Sequence, residues 1–388
     1  MTRRTPATSE QDLGFFFDPA HADFAAKARD VAARWEKGAP HDAREIARDL
    51  AREGILDACV PATHGGLPAR ERTGIDVRAV CLAREALGWA DGLADTVLAM
   101  QGLGSYPIAL AGTDAQKDRW LPPVRAGEHL AAFAITEHEA GSDVAAMTTL
   151  ARRDGDHFIL DGRKTFISNA GVAGHYVVFA NADPTRGRKG ISAFIVSPDD
   201  PGFVFEESLP VMADHPLGTI RFDAMRIPAE RLLGHVGDGF RIAMSTLDVF
   251  RSTVGAAALG MARRALDEAL ARTASRRQFG KALAEFQTVQ GYLADMATEL
   301  DAARLLVYRA AYAKDRGAPR VSLEASMGKM FATEAAQRII DRALQLHGGA
   351  GVLRGCAVER LYREVRALRI YEGTTEIQRL VIASHLRG

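Results

Sequence analysis

The sequence predicts an α+β chain in three parts: helices over residues 1–128, a small antiparallel sheet packed on itself or closed into a barrel over 129–235, and an antiparallel helical bundle over 236–388. Two changes of hydrophobic period carry that division. Apolar residues recur every three or four positions as far as Gly127, fall into short β-rich runs from Ala131 to Ile227, and return to helical spacing after Gly239. The third observation is the punctuation of the middle part. Asp154-Gly155 and Asp161-Gly162 stand between consecutive runs, where each is expected to make a hairpin turn.

In the first part, Phe24, Ala25, Ala28, Val31, Ala32 and Trp35 lie at helical spacing after Asp18 or Pro19. Glu45, Ile46, Leu50 and Ala51 continue the pattern up to Gly54. A loop of Pro61 and Gly65-Gly66-Leu67-Pro68 then precedes helices over Val77 to Leu87 and Leu93 to Gly104, each apolar on one side. Thr113 or Asp114 caps a short polar helix over Asp114 to Trp120, which Pro122-Pro123 is expected to close for want of N–H donors. Strands are expected over Ala131 to Thr136, Thr148 to Arg153, His157 to Leu160, Arg163 to Asn169, Tyr176 to Ala180, Ile191 to Val196, Phe203 to Phe205 and Thr219 to Ile227. The last part reads as long helices over Leu259 to Thr273, Val289 to Tyr312 and Ser322 to Leu346, the third stopped by Gly348-Gly349.

Charge and composition narrow the function. Lys plus Arg and Asp plus Glu both number 49, so no net field draws the chain to nucleic acid or to an anionic membrane. The start Met1-Thr2-Arg3-Arg4-Thr5 carries a twin arginine, but Ser9-Glu10-Gln11-Asp12 stands where an export signal needs an apolar core. No apolar run is long enough to span a bilayer, and a cytoplasmic location is expected. Cys59, Cys81 and Cys356 are odd in number and lack a CxxC pairing, which argues against disulfides and metal and for a reducing compartment.

Common catalytic patterns are missing. Gly280-Lys281 and Gly328-Lys329 lack the rest of a phosphate-binding loop, and neither HExxH nor GxSxG occurs. Gly349-Ala350-Gly351 lacks the third glycine of a dinucleotide fingerprint and follows a helix instead of a strand. What remains is the turn Tyr371-Glu372-Gly373-Thr374-Thr375, just before a run in which Ile377, Leu380, Val381 and Ile382 are spaced for burial on one side of a helix. A carboxylate beside a glycine at a helix start offers a base and exposed backbone N–H groups together, which suits proton abstraction next to a carbonyl. The competing reading is a solvated loop acid beside ordinary cap residues. A second feature is Phe133 to Asp143, a strand running into a loop of acceptors and hydroxyls, together with Lys164 to Asn169. Thr136, Ser142, Ser168 and backbone amides there can address the polar edge of a flat heterocycle while Phe166 covers a face.

Four stretches, Phe133 to Asp143, Arg276-Arg277-Gln278-Phe279-Gly280-Lys281, Gln345-Leu346-His347-Gly348-Gly349 and Tyr371 to Arg379, together resemble the acyl-CoA dehydrogenase family, in its order and spacing over almost the whole chain. The resemblance implies an N-terminal helical domain, a middle β-domain, a C-terminal four-helix domain, bound FAD and a homotetramer or homodimer. By position it implies that Phe133, Ile135, Thr136 and Ser142 bind FAD, with Ser142 also near the thioester, and that Phe166 and Ser168 lie beside the flavin, Ser168 at its N5 edge. Arg276, Gln278 and Phe279 match positions that reach the FAD of a neighbouring subunit. Gln345, Gly348 and Gly349 match the stretch around its adenosine-diphosphate part, and Thr374 and Glu376 match a further FAD contact. Asp248, Phe250 and Arg251 fall in a substrate-binding turn, Tyr371 and Gly373 flank the substrate, and Glu372 matches the catalytic base. On this reading the Glu372 N–H polarises the acyl carbonyl, Glu372 takes the Cα proton, hydride leaves Cβ for the flavin, and electrons pass to an electron-transferring flavoprotein. A carboxylate can do this only if burial strengthens it as a base.

Some positions depart from the commonest family pattern. Phe166 stands where tryptophan is frequent, Ser168 where threonine is, and His138 replaces a proline. Asp214-His215-Pro216 occupies a place where arginine and serine are common, and Phe250 one where some members carry an alternative glutamate base. Glu372 is then the sole candidate base. Rival readings are a flavin oxidase or monooxygenase on the same fold and a non-catalytic binding relative. Short, medium, branched and cyclic thioesters are all compatible with the sequence.

Overall fold

The computed structural model describes residues 4–36, 38–69 and 74–386, so Met1–Arg3 of the twin-arginine start lies outside it. The chain divides into two compact units, one of Met1–Ala39, Val77–Asp95 and Asp248–Gly388, the other of Pro40–Asp76 and Thr96–Leu247.

The first unit is helical. It contains α1 (Pro19–Arg34), α3 (Val77–Ala90), the first turn of α4 (Gly92–Ala111), most of α6 (Gly239–Ser275), α7 (Gln287–Asp315), α8 (Ser322–His347), α9 (Ala357–Val365) and α10 (Thr375–Leu386), with a two-stranded ribbon of β9 (Arg277–Gln278) and β10 (Lys281–Ala282). The sequence expectation of a one-sided α3 is corrected, because every residue from Val77 to Ala90 is buried. Glycine allows α3 to meet α6 this closely. A Cβ on Gly260 would lie 2.0 Å from the Glu85 carbonyl oxygen, and one on Gly88 2.7 Å from that of Ala257. The crossing places Arg84 of α3 within reach of Thr253 of α6. α8 packs against α7, α9 and α10 through the small residues Ala325, Gly328, Ala332 and Ala336, which bury Lys329 in the same face.

The second unit holds α2 (Ala43–Arg52), the rest of α4, α5 (Asp114–Arg125) and an eight-stranded sheet. Its strands are β1 (Ala131–Ala134), β2 (Leu150–Asp154), β3 (His157–Ser168), β4 (His175–Asn181), β5 (Ile191–Val196), β6 (Phe203–Ser208), β7 (Leu217–Pro228) and β8 (Leu232–Leu233). They run in the order β6-β7-β3-β2-β4-β5-β8 with β1 on β4. Pairing is antiparallel apart from β1–β4 and a one-residue β2–β4 contact. Alternate residues Phe158 and Leu160, Tyr176 and Val178, Phe194 and Val196 form the core of the sheet.

Two expectations fail here for definite reasons. Pro122-Pro123 does not close α5, which runs on to Arg125. So near the C-terminus the prolines forfeit only two backbone bonds, and their fixed φ is already helical. Thr113 is the cap, its hydroxyl accepting the Gln116 N–H at 3.2 Å. Asp161-Gly162 is no hairpin turn but part of one continuous β3. The register slips between Leu160 and Gly162, where Asp223 and Ala224 of β7 make a bulge and Ala224 turns to φ 44°. That extra residue moves the inward face of β7 from Ile220 and Phe222 to Met225 and Ile227.

Candidate active site

The turn at 371–374 is built under backbone strain. Glu372 has φ 54° and Gly373 φ 89°, so two successive residues are left-handed and only one is glycine. For a non-glycine residue that costs on the order of 1–3 kcal/mol, which the surroundings must hold in place. Three side chains do so. Gln378, wholly buried in the first turn of α10, donates Nε2–H to the carbonyls of Glu372 at 3.1 Å and Gly373 at 2.9 Å. Lys329 Nζ donates to the same Gly373 carbonyl at 2.8 Å, and Thr374 caps the helix by accepting the Ile377 N–H at 3.3 Å. A Cβ on Gly373 would lie 2.6 Å from Gln378 Nε2, so glycine is required for the approach. The expected apolar inner face of α10 is corrected: Thr375 and Gln378 are buried, while Leu380 is 65% exposed. The helix turns polar groups inward because they fasten the loop.

The Glu372 side chain is no solvated acid. Its Oε2 is buried without a hydrogen-bond partner, although other parts of the residue reach solvent. Burial raises its pKa above the usual carboxylate range; Arg84, Lys329 and Arg251 pull it down, and Asp95 pushes it up. Desolvation wins, which makes the carboxylate a stronger base. The cations differ in how far they are neutralised. Arg84, 1% exposed, grips Asp95 with Nε–Oδ1 and Nη2–Oδ2 both at 2.8 Å and donates Nη1–H to Thr253 Oγ1 at 2.9 Å. Arg251 pairs with Asp248 at 2.8 Å, and its buried Nε has no partner. Among the described residues Lys329 forms no ion pair with a carboxylate. Burial lifts the Tyr371 phenol well above its ordinary value, and the charge of Arg84 opposes the rise.

Of the residues read from the sequence, Glu372, Tyr371, Gly373, Asp248 and Arg251 thus share one unit and one charge network, and Phe250 is fully buried on the same helix as Arg251. Arg84, Asp95, Lys329 and Gln378 were missed. The signal was present: Arg84-Glu85 interrupts a run from Ala79 to Ala90 that is otherwise without charge, Asp95 an apolar start to α4, and Lys329 a run of apolar and small residues from Ala325 to Ala332. A charge inside such a run needs a partner.

The sheet carries the second group. Phe133 packs on Phe179 with ring centres 4.8 Å apart, and Ile135 is buried beside it in sequence, so both side chains face the protein interior. Thr136 is half-buried, its carbonyl accepting the Thr165 N–H at 3.0 Å, and Ser142 is exposed. The loop between them is anchored by Lys164, whose Nζ reaches Glu137 Oε1 at 2.8 Å and the Ile135 carbonyl at 3.1 Å. Burial alone raises the Glu137 pKa, but Lys164, Thr149 and Thr148 bring it to about 2; Lys164 itself is pushed to about 8 by burial. Phe166 has φ 55° and is 59% exposed, an apolar ring held out from the sheet at the cost of strain. Ser168 Oγ meets His215 Nε2 at 2.8 Å, and burial holds that imidazole neutral down to about pH 4. His138, in contrast, is exposed and pairs with its neighbour Glu139. The remaining group lies in the helical unit. Arg276, Gln278 and Phe279 are exposed at the ribbon, Phe279 at 94% with φ 49°. Gln345, Gly348, Gly349 and Glu376 are exposed, with Gly348 at φ 60° and open space where a Cβ would stand.

Each group, taken within its own unit, has the chemistry that one part of a flavin dinucleotide calls for. An outward aromatic ring and a hydroxyl suit a flat heterocycle, bare glycine peptides permit close approach, and Arg276 carries charge for a pyrophosphate. Left-handed φ at Glu372, Phe166 and Phe279 puts three of the five such non-glycine residues among the described ones at sequence-read site positions.

Comparison with known proteins gives the same direction. Residues 16–128, 132–225 and 237–387 match the N-terminal, middle and C-terminal domain families of acyl-CoA dehydrogenase. The chain is 43% identical over 346 residues to a 3-(aryl)acrylate reductase of Clostridium sporogenes, covering 88% of this chain and 90% of that one. It is 38% identical over 351 residues to the caffeyl-CoA reductase–Etf complex subunit CarC of Acetobacterium woodii, covering 88% and 89%. The structure of butyryl-CoA dehydrogenase from Megasphaera elsdenii superimposes with TM-score 0.89 at 35% identity, over 96% of this chain and 99% of that one. Among the described residues no helix is long and apolar enough to cross a membrane.

Proposed function

Because the chain belongs to the acyl-CoA dehydrogenase family of FAD-dependent oxidoreductases, we propose that it oxidises an acyl-CoA thioester to the trans-2-enoyl-CoA, with Glu372 as the base that removes the Cα proton. The observation that carries this reading is the buried, unpartnered Oε2 of Glu372 on a strained turn. FAD, when bound, supplies the acceptor for the hydride that leaves Cβ.

The protein's own residues do the rest. Burial makes Glu372 basic enough to take a carbon-bound proton, and the cations around it keep it ionised before substrate arrives. Gln378 and Lys329 occupy the Glu372 and Gly373 carbonyls, which fixes the two peptide planes that follow the base and so holds Glu372 in its left-handed conformation, while the Glu372 N–H addresses the thioester carbonyl. Tyr371, Gly373, Asp248, Phe250 and Arg251 bound the acyl group. Phe133, Ile135, Thr136, Ser142, Phe166 and Ser168 hold the flavin, and Gln345, Gly348, Gly349, Thr374 and Glu376 hold the rest of FAD. Arg276, Gln278 and Phe279 reach the FAD of a second copy, in a homotetramer or homodimer. Their exposure, nearly complete at Phe279, supports that assignment. Residues 1–128, 129–235 and 236–388 form the three domains of this reading, and an electron-transferring flavoprotein takes the electrons. The name of the Acetobacterium relative supports that partner.

Anaerobic mixing of the FAD-loaded protein with short, medium, branched and cyclic acyl-CoAs tests the proposal. Bleaching of the flavin by one narrow set is expected, and failure of every thioester overturns it. Aryl-propionyl thioesters belong in the panel, since the Clostridium relative is named for the reverse chemistry on arylacrylates. Readmitting air should restore the colour slowly; rapid reoxidation indicates the oxidase instead. The rate is also expected to fall, as pH drops, above the ordinary carboxylate range near pH 4.3, because the base titrates higher.

A further inference from the structure

Lys329 is a buried titratable group to which the proposed reaction gives no chemical step. It is wholly inaccessible on α8, and burying an ammonium is costly unless something is gained from it. Its recorded hydrogen bond runs to a main-chain carbonyl, Gly373, one residue from the base. The other two cations around Glu372 are held by carboxylates: Arg84 by both oxygens of Asp95, Arg251 by Asp248. Lys329 is therefore the cation whose charge is least cancelled before it reaches Glu372.

We propose that Lys329 is a positioning residue for the base, its ammonium locking the Gly373 carbonyl so that Glu372 stays in its left-handed conformation, and its charge keeping the Glu372 carboxylate ionised. This deepens the reading of Glu372 as the base and rests on it. The charged and titratable groups that bear on the pair are Arg84 of α3, Asp95 of α4, Asp248 and Arg251 of α6, Glu334 of α8, Tyr371 of the turn and Glu376 of α10. Burial and, less strongly, Arg251 lower the Lys329 pKa, Glu372, Glu334 and Glu376 oppose the fall, and the balance stands at about 8. Lys329 is still protonated at neutral pH, as the role requires. Gln378 shares the Gly373 carbonyl but is neutral, so it can fix the peptide without acting on the charge.

The test compares the FAD-loaded wild type with Lys329→Met and Lys329→Arg, using the thioester that bleaches the wild type best and recording kcat/KM from pH 5.5 to 9.5 with flavin absorbance and Tm. Met removes the cation, so the acid limb is expected to move to higher pH. At pH 6 kcat/KM should fall roughly tenfold further than it does at pH 9, where hydroxide ionises the base instead. Arg keeps the charge but replaces a compact ammonium with a wide fork, so the limb should stay where it is in the wild type while kcat falls at every pH. A uniform loss in the Met variant with an unmoved limb, or unchanged kinetics, overturns the proposal. Should the Met variant fail to take up FAD, the Arg variant decides, because a limb displaced despite the retained charge also overturns it. Glu372→Gln separates the two readings. If that variant is active the base assignment fails, and if it is inactive while the Met limb is unmoved only the role of Lys329 fails.

Discussion

Glu372→Gln is expected to lower kcat by roughly 10³-fold or more while FAD stays bound and Tm rises. The two effects have one cause. Glutamine keeps the shape of the side chain but cannot accept the Cα proton, so the chemical step loses its base. In the native protein the carboxyl has a pKa above that of an unfolded chain. The folded state therefore binds that proton more tightly than the unfolded state, and stability falls as pH rises through the range between the two values. At neutral pH the ionised form is the burdened one, and a neutral amide removes the burden. The gain in Tm over wild type should shrink as pH is lowered toward and below the raised pKa, because there Glu372 is itself neutral. Thermal melts of the FAD-loaded proteins across pH, beside steady-state rates, check both halves. A variant that is inactive but less stable at every pH would indicate a structural carboxylate.

Asp95→Asn is expected to cost about 3 kcal/mol of stability and to move the acid limb of kcat/KM to lower pH. Both carboxylate oxygens of Asp95 are committed to Arg84, and each partner is 1% exposed. Taking the charge from one partner of a buried pair leaves the other uncompensated, which costs about 3–5 kcal/mol. Asparagine still accepts one of the two bonds, so the lower figure applies. The shift in pH follows from the same residues. Asp95 raises the Glu372 pKa and Arg84 lowers it, so removing Asp95 lets Arg84 act unopposed. The base then ionises more readily and becomes weaker, and the plateau rate should fall. Denaturant melts measure the first effect and pH–rate profiles the second. A large loss of stability with an unchanged limb would separate the Arg84–Asp95 pair from the base.

The course of the chain was legible wherever one periodicity ran long enough to be read. α1, α7 and α8 follow their apolar spacing, and β4 and β5 their β-branched runs. The readings failed where a local signal competed with packing. Asp161-Gly162 has the chemistry of a turn, but β3 needs a residue without a Cβ there, since one would lie 2.7 Å from Thr149 Cα. Pro122-Pro123 reads as a stop, yet so near the C-terminal end of a helix it has little left to break. α10 reads as amphipathic, yet its inner side carries Gln378 because the turn before it needs a donor.

At the site, Glu372 was legible because glycine and a helix start surround it. The network beneath it was not. Arg84, Asp95 and Lys329 are distant from it in the sequence, and only the α3–α6 crossing at Gly88 and Gly260 and the packing of α8 bring them to one carboxylate. Ser168 and Phe166 were identified by residue type, whereas the hydrogen bond between Ser168 and His215 depends on the pairing of β3 with β7, in which Ser168 lies opposite Leu217.

The most direct measurement is the rate of anaerobic flavin bleaching with a reactive thioester carrying deuterium at Cα. Proton removal by Glu372 predicts that the wild type bleaches several-fold more slowly with the deuterated thioester, and that Glu372→Gln scarcely bleaches with either. Bleaching at equal rates with both thioesters, with the glutamine variant as fast as the wild type, would contradict it.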